Sequence, residues 1–204
     1  MNFESDFNTH FAPVLVIAFN RPESTRKVID ALIASGVREI YYAVDGPRLG
    51  VNEDIFRVSQ VRELETDYKA SLKFIPLFRE ENLGCRLAVT GALNWFFSQV
   101  EFGIVLEDDC VPTTDFLVFA SRMLQKYQND KTVMHVGGSS YLGERINYPY
   151  NHYFSSLHEV WGWATWARAW KYFELDPGEG SSEEEKLLME HFKSKHVSKW
   201  FKSY

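Results

Sequence analysis

Two apolar runs limit what this chain can become. Pro13-Val-Leu-Val-Ile-Ala-Phe19 is continuous and rich in β-branched residues, with no polar residue alternating through it, and Ile104-Val-Leu106 repeats that character. A strand that is apolar on both faces belongs inside a parallel sheet with helices packed on each side. The segments between the runs agree. Pro22 and Glu23 suit the first turn of a helix, Val28, Ile29, Leu32 and Ile33 recur at helical spacing, and Gly36 stops it. Glu39–Val44 reads as a second strand closed by the turn residues Asp45-Gly46-Pro47-Arg48. Asn52–Thr66 reads as a surface helix with apolar positions Ile55, Phe56, Val58, Val61 and Leu64, and Leu72–Leu77 as a third strand whose Pro76 puts it near an edge or a bend. Gly84 precedes a helix with Val89, Leu93, Phe96, Phe97 and Val100 on its inner side. Thr113 or Thr114 caps another that turns Phe116, Phe119, Ala120, Met123 and Leu124 inward. Val133–Gly137 reads as a further strand. Trp163, Trp166 and Trp170 share helical spacing, so a helix is expected from about Trp163, with a core stripe for at least two of the three. The alternation gives an α/β fold, a mostly parallel sheet flanked by helices. Residues 13–182 are expected to form this domain, 1–12 a flexible N-terminal segment, and 183–204 a charged amphipathic helix. The chain halts inside that helix at Lys202-Ser-Tyr204 without a stop signal, from which a shortened C-terminus is expected.

The chemistry gathers where Ile104–Leu106 runs straight into Glu107, Asp108 and Asp109. Three adjacent carboxylates at the end of a buried strand repel one another and call for a positive partner. Oxygen-only donors suit Mg²⁺ or Mn²⁺, and such ions are usually held by one or two carboxylates together with substrate phosphates. In extended chain Glu107 and Asp109 point to one side and Asp108 to the other. A solvated acidic turn is the plainer reading of the triplet alone. Ligands of open parallel sheets bind at the carboxyl ends of the strands, and that rule gathers Asn20, Arg21, Asp45, Gly46 and Glu107–Asp109 along one rim.

Composition excludes several classes. At 204 residues, 45% hydrophobic and 16% aromatic, the chain can bury a full core. A net charge of -6 argues against nucleic acid or an anionic membrane as the main partner. Cys85 and Cys110 form no metal-ligand or disulfide spacing, so a reducing compartment is the default, and His10, His135, His152, His158, His191 and His196 show no ligand spacing either. Met1–His10 is polar and acidic, unlike a signal peptide, and no apolar stretch reaches the length of a bilayer span. A cytoplasmic protein, at most peripheral to a membrane, is expected.

Ile17-Ala-Phe-Asn-Arg-Pro22, Val44-Asp-Gly46, Val105-Leu-Glu-Asp-Asp109 and Gly162-Trp163 stand in the order seen in GT-A glycosyltransferases. Over roughly Pro13 to Trp170 the chain resembles the N-acetylglucosaminyltransferase I and protein O-mannose N-acetylglucosaminyltransferase group, and bacterial glycosyltransferase-like proteins often labelled haemolytic. The resemblance implies the GT-A, nucleotide-diphospho-sugar transferase-like fold and metal-dependent, inverting transfer from a nucleotide-sugar, a UDP-sugar, to a carbohydrate or glycoconjugate hydroxyl. It implies that Arg21 contacts the nucleotide-sugar, Asp45 accepts the uracil N–H, and Asp109 binds Mn²⁺ or Mg²⁺. Asp108 would lie near the ribose, Glu107 would face the donor sugar, and Trp163 would lie on the acceptor side. Asn82, Gly84 and Arg86 could help hold the donor, or could simply start a helix. The family's general base lies downstream of the Gly-Trp motif, where Glu174, Asp176 and Glu183–Glu185 are the candidates. Three other readings are open. A nucleotidyltransferase would carry a Gly-rich signature after the first strand, where Asn20-Arg21-Pro22 stands instead. A pseudoenzyme would keep the nucleotide-sugar pocket without a base. A glycosidase fits poorly, because adjacent acids on one strand cannot flank a glycosidic bond from both sides.

Overall fold

The computed structural model describes residues 11–139 and 150–176, together with 186, 187 and 190. Its chain divides into two compact units, 1–147 with 158–171, and 148–157 with 172–204. The first unit is the α/β body. Its elements are β1 (Val14–Ala18), α1 (Pro22–Ala34), β2 (Glu39–Val44), α2 (Asn52–Tyr68), β3 (Lys73–Phe78), α3 (Gly84–Phe97), β4 (Phe102–Glu107), α4 (Thr114–Lys126), β5 (Val136–Gly137), β6 (Trp163–Trp166) and α5 (Ala167–Trp170). The described part of the second unit includes Tyr150–Leu157, an irregular stretch in which the Leu157 N–H donates to Ser155 Oγ at 3.0 Å and the His152 and Phe154 rings meet edge-on at 6.0 Å. Lys186, Leu187 and Glu190 are helical and exposed, while the rest of the helix expected over 183–204, the candidate bases Glu183–Glu185 among it, lies outside the described residues. So do residues 1–10 of the expected N-terminal segment. Ala12, from that same segment, is buried, and its N–H donates to Ser121 Oγ at 2.9 Å. Among the described residues no helix is long and apolar enough to cross a membrane.

Six strands form one sheet in the order β3-β2-β1-β4-β6-β5. The β3–β2, β2–β1 and β1–β4 pairs are parallel, and β6 joins β4 and β5 antiparallel. Alternating side chains of the apolar strands explain the layers. Val14, Val16, Ile40, Tyr42, Val44, Ile104 and Leu106 pack against Val28, Ile29 and Leu32 of α1, Val58, Val61 and Leu64 of α2, and Leu117, Ala120 and Leu124 of α4. Leu15, Ala43 and Val105 face the other way, onto Ala92, Leu93 and Phe96 of α3. Ile55 and Phe56 fall outside this pattern and are exposed. Pro76 sits in β3 at the sheet edge, where its missing N–H breaks no interior ladder. Thr113 is the residue that caps α4, its Oγ accepting the Phe116 N–H at 3.1 Å.

Gly103 lets α3 lie close to β4. A Cβ there would stand 2.5 Å from Phe96 Cε1 and 2.8 Å from the Pro13 carbonyl oxygen. Gly103→Ala is therefore expected to destabilise the protein by about 1–3 kcal/mol, since the overpacked ring and strand must both shift. Urea denaturation checks this; a midpoint equal to the parent's would contradict it.

Two expectations are corrected. Trp163–Trp166 is a strand and the helix is only Ala167–Trp170. Backbone pairing with β4 and β5 overrides the helical spacing of the tryptophans, and it sends Trp163 and Trp166 to opposite faces of the sheet. Trp166 is buried and its Nε1–H donates to the Leu124 carbonyl at 3.0 Å. The strand expected over Val133–Gly137 contracts to Val136–Gly137. The Arg168 guanidinium collects the carbonyls of Tyr127, Gln128, Asp130 and Val133, each at 2.9 Å, and so holds the approach to β5 in an irregular path.

Candidate active site

The sequence order of the strands reverses between β1 and β4. From β1 the chain steps outward to β2 and β3, then returns to place β4 on the other side of β1. At such a point the crossovers leave in opposite directions and open a crevice outside the carboxyl ends of the strands. The register sets Glu107, the last residue of β4, opposite Ile17. Asn20 and Arg21 follow β1, and Asp108 and Asp109 follow β4.

These residues meet. Arg21 Nη1 donates to Asp109 Oδ2 at 2.9 Å and to Asp108 Oδ1 at 3.3 Å. The alternation expected for 107–109 ends at Glu107, because the chain turns there, with the Cys110 N–H on the Glu107 carbonyl at 3.1 Å. Asp108 and Asp109 thus reach one guanidinium instead of pointing to opposite sides. Their surroundings differ: the Asp108 side chain is 12% exposed and that of Asp109 57%. Burial pushes the Asp108 carboxyl above the usual range even though Arg21 and the Phe19 N–H pull it down. Burial also raises Glu107, and the neighbouring Asp109 and Asp108 raise it further. One arginine does not balance three acids in this place.

A second cluster lies at the end of β2. Asp45 is buried, and its N–H reaches the Ala18 carbonyl at the end of β1. Its carboxylate accepts from Asn82 Nδ2 at 2.9 Å and from the Leu83 N–H at 3.1 Å, so it pins the turn that starts α3. Asn82 Nδ2 also donates to the Gly46 carbonyl at 3.0 Å. Gly46 has a packing reason to be glycine, because a Cβ there would stand 2.6 Å from the Glu81 backbone nitrogen. Asp45 and Asn82 therefore form one rim cluster, and Arg21 with Asp108 and Asp109 another.

Asn20 belongs to a third group. Its Nδ2 donates to Asp54 Oδ1 at 2.7 Å. Asp54, on α2, is almost wholly buried and also receives Arg48 Nε at 2.5 Å, Arg48 Nη2 at 2.9 Å and the Arg48 N–H at 3.2 Å. The guanidinium rests over the Phe19 ring at 5.6 Å. Asp54 ties the loop after β1 to the loop after β2, and these bonds hold its carboxyl well below the usual range. Sequence reading missed it, since an acid in the first turn of a helix is explained locally by the helix dipole. The asymmetry of the pair gives a test. Removing Arg48 strands a buried carboxylate, whereas removing Asp54 leaves a guanidinium that water can reach. Arg48→Met is therefore expected to lower the melting temperature more than Asp54→Asn, as calorimetry on both variants would show; the reverse order would contradict the burial.

Trp163 pairs with Val105 across the β4–β6 ladder, is half-buried, and stacks on His135 at 5.1 Å and 14°. Gly162, just before it, accepts the Gly138 N–H at 2.8 Å. Glu174 and Asp176 are exposed residues of the second unit. Two grooves of about 320 and 530 Å³ lie along α1 and α2 and between α2 and β3, and neither is lined by Glu107, Asp108 or Asp109.

Among the described residues no three His, Cys, Asp or Glu side chains converge on a common metal position. A full protein cage is thus absent there. A single exposed carboxylate, Asp109, fits an ion whose other ligands are phosphate oxygens and water.

No family model matches the chain, and no curated protein matches it. Among solved structures it is similar to the mannosyltransferase PcManGT of Pyrobaculum calidifontis, in complex with GDP-Man and Mn²⁺, at 16% identity and a TM-score of 0.40. The likeness covers 64% of this chain and 36% of the mannosyltransferase, so the chain spans little more than a third of that protein. A likeness this distant decides nothing about activity or ligand.

Proposed function

We propose that this protein is a glycosyltransferase of the GT-A type that takes a sugar from a nucleotide-sugar, a UDP-sugar, and passes it to an acceptor hydroxyl with inversion. The observation that carries the reading is the meeting of Arg21 with Asp108 and Asp109 outside β1 and β4, where the strand order reverses. Arg21 offers a fork that matches a diphosphate. Asp109 would hold Mn²⁺ or Mg²⁺, and such an ion neutralises charge on a departing nucleoside diphosphate. The resemblance assigns the ribose to Asp108, the donor sugar to Glu107 and the uracil N–H to Asp45. Asp45 already accepts from Asn82 and Leu83, and a carboxylate has about four acceptor positions, so one more donor can be received. Asn20, bonded to Asp54, and Gly46, whose carbonyl accepts from Asn82, belong to the same donor-binding rim in this reading. The exposed candidates Glu174 and Asp176, and Trp163 on the acceptor side, complete the reading.

A second reading is a nucleotide-sugar-binding protein without turnover. It needs the rim of Arg21, Asp108 and Asp109 but no general base. One experiment separates the two. UDP, GDP and several of their sugar conjugates are titrated calorimetrically with and without Mn²⁺, and nucleotide release is then followed. Mn²⁺-dependent binding with release supports the transferase, and binding without release supports the binding protein. Absence of binding contradicts both.

A further inference from the structure

The larger groove, about 530 Å³, lies between α2 and β3, and none of Arg21, Asp108 and Asp109 lines it. Part of its lining is apolar. Val58 is buried, Phe78 is half-buried, and Ile55 is 58% exposed. Glu63, Glu65 and Glu80 line the same groove, and among the described residues none of the three is in an ion pair. The cation beside them is Arg62, whose guanidinium is engaged within the fold. It lies over the Phe78 ring at 5.4 Å, and its Nη2 donates to the Arg79 carbonyl. Arg62 Nε is buried with no hydrogen-bond partner, the one such side-chain atom among the described residues. A buried N–H left unpaired is costly and calls for an acceptor.

We propose that this groove docks a segment of another protein, one that carries a bulky apolar side chain flanked by lysine or arginine. Each feature of the groove selects one part of that segment. Ile55 and Phe78 receive the apolar anchor. The unpaired acids attract the flanking cations and reject an anionic partner such as nucleic acid or an acidic lipid surface. A peptide carbonyl supplies the acceptor that Arg62 Nε lacks. A polyamine brings the cations but neither the anchor nor the acceptor. A second copy docked by the same face about a two-fold axis brings three more acids against these three. An added strand beside β3 is disfavoured as well. Lys73 and Arg79 turn their N–H groups inward, to the Arg38 and Val44 carbonyls. The residues alternating with them face the outer edge, and Pro76 is one of these, with no N–H to offer. The segment is therefore held by its side chains and not as a seventh strand.

The test uses the full chain, ¹⁵N-labelled, and the synthetic peptides Lys-Lys-Leu-Phe-Lys-Lys, Glu-Glu-Leu-Phe-Glu-Glu and Lys-Lys-Gly-Ser-Lys-Lys. The first is expected to bind with a Kd below about 1 mM and to shift the amide signals of Ile55, Arg62 and Phe78 together with the Arg62 Nε–H signal. The other two should bind at least about tenfold more weakly, one lacking the cations and the other the anchor. Ile55→Ser removes the seat of the anchor, and Glu65→Gln combined with Glu80→Gln removes two of the charges. Neither change touches a fully buried side chain, so both variants should keep the parent's thermal midpoint. Each is expected to weaken the first peptide about tenfold. An unchanged affinity in either variant overturns the proposal, as does equal binding of all three peptides or of none. Signals that move around Glu107–Asp109 instead would mean that the peptide merely follows acidic charge, and overturn it too. So does self-association of the parent that Ile55→Ser abolishes, which would give the groove to a second copy.

Discussion

Asp109→Asn is expected to weaken Mn²⁺-dependent nucleotide binding by more than about 100-fold, which corresponds to roughly 2.7 kcal/mol. The amide keeps the shape of the side chain and one oxygen but loses the charge that a hard cation seeks. The same change should leave the fold intact, because Asp109 lies in a turn and is more than half exposed. It should even relieve the free protein, since the Asp109 charge is one of the causes that lift Glu107 and Asp108. Binding and stability thus move in opposite directions. Calorimetric titration and thermal denaturation of the one variant read both. A variant that keeps its nucleotide affinity would remove Asp109 from the site; one that loses affinity only because it melts would show no relief of stability.

The second large effect lies in the pH dependence of stability. The His135 ring stacks on Trp163, meets the His158 ring edge-on at 5.5 Å, and its Nε2 lies 2.8 Å from the Glu159 carbonyl. A carbonyl can only accept, so Nε2 carries a proton. Burial lowers the pKa of His135 from 6.5 to about 4, with the neighbouring His158 adding to the effect. The unfolded chain therefore binds a proton at a higher pH than the folded one does. The stability due to the neutral ring is fully present above about pH 6.5 and is lost as pH falls towards 4. The loss is at most about 3 kcal/mol, since each tenfold change in proton affinity is worth about 1.36 kcal/mol. His135→Gln keeps a donor for Glu159 and cannot titrate, so this part of the pH dependence of the denaturant midpoint should vanish in the variant. A parent whose stability falls no faster than the variant's between pH 6.5 and 4 would contradict a neutral histidine held in the fold.

Much of the body was legible because it is locally encoded. Pro13–Phe19 and Ile104–Leu106 declare their burial by lacking polar alternation, and both are interior strands. Glu39–Val44 is followed by the turn residues Asp45-Gly46-Pro47-Arg48, and the expected and observed bounds coincide. Pro76 at an edge and Thr113 at a cap follow from what those residues can donate and accept. The failures share a cause, which is partners far away in sequence. Trp163–Trp166 becomes a strand because β4, some sixty residues earlier, offers it a ladder. The start of β5 is diverted by Arg168, more than thirty residues later.

The rim was legible in kind and not in arrangement. Asn20, Arg21, Asp45 and the acids all stand at strand ends as the α/β pattern requires. The sequence did not show that they divide among three groups, with Asn20 on Asp54, Asp45 on Asn82, and Arg21 on Asp108 and Asp109. That division depends on which long side chain reaches which loop, and no local spacing encodes it. The turn at Asp108–Asp109 was hidden for a related reason: three carboxylates in a row read equally as strand or as turn until a cation is placed beside them.

Diffraction from crystals soaked with Mn²⁺ and UDP, read at the manganese absorption edge, tests the site most directly. The expected result is one anomalous peak about 2 Å from an Asp109 carboxylate oxygen, with diphosphate density joined to it and the Arg21 guanidinium turned towards the phosphates. A peak bound elsewhere on the protein, or nucleotide density that leaves Arg21 on Asp109 with no ion beside it, would contradict the proposed site.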